Sequence, residues 1–245
     1  MTARRTAGMR CGSKKLESGS SGLRRFAPYV LFLSWTLILG PRPLPGADEF
    51  SKVSHHSVRM FSFGTLTVDT RVGDVRIEGW DEPRLDVEAE KVVLAKSAQA
   101  AEPMFRQLQI QLKGADKHVL LRTVYPSRRP WRPFRGETKR WVHYRIRMPF
   151  DANLVLKCVD GDVYIKGITG QQKIDVNYGD VEVNVPSTDR LRSVQARTIL
   201  GYVQSDLHGE DEAGLNKKVL FWNSHGTQVI IVKVRMGGVY IYSED

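Results

Sequence analysis

From about Phe61 to the C-terminus the chain consists of short runs in which apolar and polar residues alternate. Ile174, Val176 and Tyr178 fall on even positions, as do Ile230, Val232, Val234 and Met236. A period of two is the signature of a strand with one buried face. The runs are also rich in Val, Ile, Thr and Tyr, which favour strands. The pattern therefore predicts a protein made mostly of strands. One segment departs from it. Within Ala95–Leu108, Ala98, Ala101, Phe105 and Leu108 recur near helical spacing, interrupted by Pro103. Proline suits a first helical turn, so the spacing predicts one short helix beginning near Pro103.

The alternation breaks at an internal repeat, X-Gly-x-Val-x-(Ile/Val/Ser), present five times. The copies are Val72–Ile77, Asp160–Ile165, Tyr178–Val183, Leu200–Ser205 and Met236–Ile241. After each Gly-x step the apolar residues move to odd positions, as in Val181, Val183 and Val185 or Val239 and Ile241. A strand that slips by one residue turns its apolar side chains to the opposite face. The chain keeps them on one core only by turning or bulging at the step, where glycine tolerates a positive φ. Gly73, Gly161, Gly179, Gly201 and Gly237 are thus expected to be structural corners.

Copies two to four are spaced 18 and 22 residues apart, and the last follows 36 later, leaving room for a degenerate coil around Val219 to Trp222. A period of about 20 residues with short strands predicts an all-β fold, solenoid-like or roll-like, with a β-sandwich as the competing architecture. The region from Trp80 to Pro126 lacks the motif and reads as ordinary strands at Leu85–Ala89, Leu108–Leu112 and Val119–Tyr125.

The stretch Gly73-Asp74-Val75-Arg76-Ile77-Glu78-Gly79-Trp80-Asp81, and Arg147-Met148-Pro149 leading to Asp160-Gly161-Asp162-Val163, resemble the bacterial putative adhesin family. The resemblance runs from about Phe61 to the C-terminus. It implies an all-β, solenoid-like domain at the cell envelope and supplies no catalytic residues.

Charge changes the picture at the N-terminus. The net charge is +10, but residues 1–47 carry eight basic side chains and one acid, so the remainder is nearly balanced. A basic stretch ending at Arg24-Arg25, an uncharged apolar segment Phe26–Leu39, three prolines and Gly46-Ala47 read as an export signal cleaved near Ala47. An uncleaved N-terminal anchor is the alternative. The expected organisation is a signal peptide over 1–47 and one all-β domain over 48–245. That domain divides into N-terminal strands 48–126, a loop 127–141 and a repeat region 142–245. Localisation is then the periplasm or cell surface. Two cysteines exclude a disulfide-stapled scaffold, and loss of Cys11 with the leader would leave Cys158 as a lone thiol, safe if buried.

Three patterns invite chemistry. Asp74, Asp162 and Asp180 follow corner glycines and could stack as calcium ligands, but the last two copies carry Tyr202 and Gly238 there. An aspartate at a corner more commonly caps its turn or stays solvated. The acids Asp160, Asp162, Asp206, Glu210, Asp211 and Glu212 could serve a carbohydrate-active enzyme. They form no diagnostic signature, and His55, His56, His118, His143, His208 and His225 are scattered.

The strongest local anomaly is the loop between the strands ending at Tyr125 and beginning near Val142. Arg128, Arg129, Arg132, Arg135, Lys139 and Arg140 interleave there with Trp131, Phe134 and Trp141. Arginines with aromatics suit phosphate, sulfate or carboxylate groups. The alternative is a solvated loop.

The expected function is a non-enzymatic, exported binding or scaffold protein. Candidate partners are anionic glycans, lipid head groups or another envelope protein. The alternatives are a carbohydrate-active enzyme or an envelope sensor module. No cofactor, metal or nucleic acid is implied. Asp160 sits where the other copies carry Val72, Tyr178, Leu200 and Met236, which makes it either a core carboxylate or a turn cap.

Overall fold

A computed structural model describes residues 47–126, 140–207 and 212–244. Twelve strands and one helix account for most of them. In chain order they are β1 (Asp48–Val72), β2 (Val75–Trp80), β3 (Arg84–Ala95), α1 (Ala98–Gln107), β4 (Gln109–Val124), β5 (Arg140–Pro149) and β6 (Asn153–Asp160). There follow β7 (Val163–Lys166), β8 (Gln172–Tyr178), β9 (Val181–Val185), β10 (Leu191–Ser205), β11 (Glu212–Trp222) and β12 (Gln228–Ser243).

The strands do not form a solenoid, a roll or a sandwich. Nine of them close into a barrel, in the order β12-β8-β6-β1-β3-β5-β2-β7-β9 and back to β12. Closure depends on two long strands. β1 pairs antiparallel with β3 through Asp48–Arg59 and parallel with β6 through Thr65–Val72. β12 pairs with β8 through Ile230–Met236 and with β9 through Val239–Ser243. The antiparallel pairs β1–β3 and β3–β5 complete the ring. Both pairs run through β3, which lies in the stretch without the motif, so the repeat by itself carries no signal of closure. β10 extends the sheet from β12, β11 extends it from β10, and β4 pairs with β1.

Two sets of inward rows make the core. Before the corners, Val68, Leu156, Ile174, Val232 and Ala196 stand in register across five strands, and all are buried. After the corners, Val75, Val163, Val181, Val239 and Val203 do the same. Each Val, Leu or Ile side chain in these rows contributes roughly 1.5–3 kcal/mol by leaving water. The parity change between the rows is accommodated at the glycines, whose φ values run from 121° to 151°.

Two further expectations are corrected. The helix begins at Ala98, not near Pro103, because Ser97 caps it by accepting the Ala100 N–H at 3.3 Å. Pro103 lies inside the helix, which buries Ala101, Met104 and Phe105. The segment around Val219–Trp222 is not a coil of the repeat. It belongs to β11, which pairs antiparallel with β10.

Candidate functional site

The five corner glycines stack in the spatial order Gly73, Gly161, Gly179, Gly237, Gly201. Gly237 is inserted between Gly179 and Gly201 because β12, last in sequence, lies between β8 and β10. The stack leaves no room for side chains: a Cβ on Gly179 would collide with the Gly161 carbonyl oxygen.

The residue after each glycine continues the ladder. Asp74 Oδ1 accepts the Asp162 N–H at 3.1 Å, Asp162 Oδ1 accepts the Asp180 N–H at 2.9 Å, and Asp180 Oδ1 accepts the Gly238 N–H at 2.6 Å. Each carboxylate therefore braces the neighbouring corner rather than its own turn. At the start of the ladder the imidazole of His143, on β5, takes the acceptor's place: the Asp74 N–H meets Nδ1 at 3.2 Å. The same Nδ1 lies 3.2 Å from Asp74 Oδ2, where it donates if protonated. Among the described residues, no three His, Cys, Asp or Glu side chains gather as a metal site.

The ladder forms one wall of an open groove of about 650 Å³. Its lining follows from the repeat, because the outward residue after each Gly-x-Val step falls in one row. Arg76, Tyr164, Glu182 and Tyr240 stand opposite one another on four successive strands, Arg145 of β5 precedes Arg76, and Gln204 of β10 continues the row beyond the lining. Tyr242, Glu88 and Glu90 complete the lining. Six carboxylates against two guanidiniums give the groove an acidic balance.

Internal contacts hold these side chains in place. The Arg76 guanidinium lies 5.4 Å from the Tyr164 ring centroid, and Arg145 Nη1 lies 3.3 Å from Glu88 Oε1. Asn184 Nδ2 donates to Tyr164 Oη at 3.0 Å and to Glu182 Oε1 at 3.1 Å. Tyr242 Oη donates to Gln204 Oε1 at 3.4 Å, and the Tyr202 and Tyr240 rings lie 6.2 Å apart. Partial burial, then the nearby Asp180, holds the Tyr240 phenol above its usual range.

Of the basic aromatic loop, Arg128, Arg129, Trp131, Arg132, Phe134, Arg135 and Lys139 lie outside the described residues, as does the leader before Ala47. Arg140 and Trp141 open β5, where Arg140 Nη1 donates to Gln107 Oε1 at 2.8 Å, away from the groove. Of the acidic pool, Asp162 is in the groove. Asp160 is exposed in a row with Val72 and Tyr178, so its carboxylate is not a core group. Asp206 Oδ2 accepts the Ser243 N–H at 2.8 Å. His208 lies outside the described residues, and of the described histidines His143 alone lines the groove. Tyr164 and Tyr240 carry a signal in the sequence, because the variable position of the motif points outward in register.

No family model matches the chain, and no curated protein matches it. Among solved structures it is similar to a putative cell adhesion protein from Clostridium sporogenes, with 13% identity and a TM-score of 0.47, over 79% of this chain and 100% of that one. It is also similar to a putative adhesin from Bacteroides fragilis, with 12% identity and a TM-score of 0.26, over 78% and 97%. A third likeness is to a putative lipid binding protein from Parabacteroides distasonis, with 11% identity and a TM-score of 0.21, over 79% and 97%. Likenesses this distant bear on neither ligand nor activity. Among the described residues no helix is long and apolar enough to cross a membrane.

Proposed function

We propose that the chain is an exported, non-enzymatic binding protein of the bacterial envelope whose groove takes a neutral or amino-bearing glycan. The observation that carries this reading is the row Tyr164–Glu182–Tyr240 in the groove. Adjacent strands lie about 4.8 Å apart, so the two tyrosines stand roughly 10 Å apart, comparable to one disaccharide of an extended glycan. Tyrosine faces stack on sugar rings, and the Glu182 carboxylate between them accepts from hydroxyls. The acidic lining disfavours sulfated or carboxylated sugars. Use of one oxygen of each ladder aspartate as a brace supports a binding role over a hydrolytic one. An anionic ligand would instead belong to the loop 127–141.

A glycan array followed by calorimetry on the best ligand tests this. Tyr164→Ala with Tyr240→Ala should weaken binding at least tenfold and leave the fold intact. Unchanged affinity, or selection of sulfated glycans alone, overturns the assignment.

A further inference from the structure

A second surface, sharing no residue with the groove, lies on the segments of β10 and β12 before their corners and on β11. β11 is the free end of the strand order. Alternation turns Val194, Ala196, Ile230 and Val232 into the core and leaves the residues between them outward. Three of the outward-facing side chains are apolar and open to solvent: Ile199 at 47%, Leu220 at 52% and Trp222 at 68% exposure.

Cations fill the gaps between them. Lys218 stands opposite Arg197, and Arg197 opposite Lys233, so three positive charges form one row across three strands. Arg235 is exposed on the same face of β12, and the Arg192 guanidinium lies 5.6 Å from the Trp222 ring centroid. Residues 192–199, 218–222 and 229–235 contain no Asp or Glu. The nearest carboxylate in register is Asp175 on β8, opposite Lys233 at the border of the patch.

We infer that this face docks on an anionic lipid surface. Basic side chains near acidic head groups gain free energy additively, while tryptophan and aliphatic side chains enter the interfacial layer. A nucleic acid would use the cations but leave Leu220 and Ile199 without a role. A second copy across a two-fold axis would bring like-charged rows together, which is unfavourable.

The full chain is tested on vesicles of phosphatidylcholine alone and with phosphatidylglycerol added. It should partition onto the anionic vesicles and be released by salt. Arg197→Gln, Lys218→Gln and Lys233→Gln together should lower that partition by roughly a hundredfold. The apolar segment Phe26–Leu39 is common to all variants and cancels in the ratio. Trp222→Phe should reduce quenching of the protein's emission by brominated lipid. Arg197→Lys keeps the charge and should keep the partition, which guards against a misfolded triple variant. Equal partition of the triple variant and the wild type overturns the proposal, as does equal partition onto both vesicle types. A lipid-free dimer that Trp222→Ser with Leu220→Ser converts to a monomer also overturns it, by assigning the face to a second copy.

Discussion

The Asp162 carboxylate accepts the backbone N–H of Asp180, 18 residues later in the chain, at 2.9 Å. It thereby fixes the register of β7 against β9, whose pairing starts one residue beyond, at Val163 and Val181. Removing the acceptor should cost about 1 kcal/mol, the usual contribution of such a bond. Asp162→Ala should lower the urea midpoint, while Asp162→Asn, which keeps a side-chain oxygen, should stay near wild type. Equal effects of the two would show that the bond contributes nothing.

Gly179 and Gly214 separate strain from collision. Both have positive φ, 126° and 117°. A Cβ on Gly214 would meet only the end of the Lys217 side chain, whereas one on Gly179 would meet backbone. Gly214→Ala should cost about 1–2 kcal/mol from the left-handed backbone alone. Gly179→Ala should cost clearly more, because the Gly161 carbonyl cannot yield without breaking the ladder. Chemical denaturation of both variants measures the difference, and a wild-type midpoint for Gly179→Ala would refute the corner assignment.

Asp160 should tolerate an apolar exchange. It is exposed and flanked in register by Val72 and Tyr178. Asp160→Leu adds a cross-strand apolar contact and removes no buried group, so stability should stay within about 0.5 kcal/mol of wild type or rise slightly. A loss above about 1 kcal/mol in thermal melts would show that the carboxylate caps its turn.

High pH should destabilise the barrel. Burial, then nearby carboxylates, pushes the Cys158 thiol up to about 12. Burial also raises the phenols of Tyr144, bonded to Thr123 at 2.6 Å, and Tyr125, which donates to the Val72 carbonyl at 2.9 Å. Below their unfolded values these groups are neutral in both states and cost nothing. As pH rises through about 9 toward 12, the unfolded chain releases protons that the folded chain retains. Each group then removes up to about 1.4 kcal/mol per pH unit. The melting temperature should therefore fall across that range, and less steeply in Cys158→Ala. Cys158 should also resist a thiol reagent at pH 8 until denaturant is added.

What the chain alone determined is local. Alternation at Ile174, Val176 and Tyr178, followed by Val181, Val183 and Val185, requires a turn at Gly179, because side-chain parity is a property of neighbouring residues. The outward residues Tyr164, Glu182 and Tyr240 were equally legible, since each holds the same place in its copy. Tertiary structure decided everything that depends on partners distant in sequence. The place of β12 between β8 and β10, the closure through β3 and β5, and the arrival of His143 at the head of the aspartate ladder all rest on hydrogen bonds between remote strands. A strand's backbone donors and acceptors are the same whatever its side chains, so its own sequence shows which face is buried but not which strand will lie alongside it.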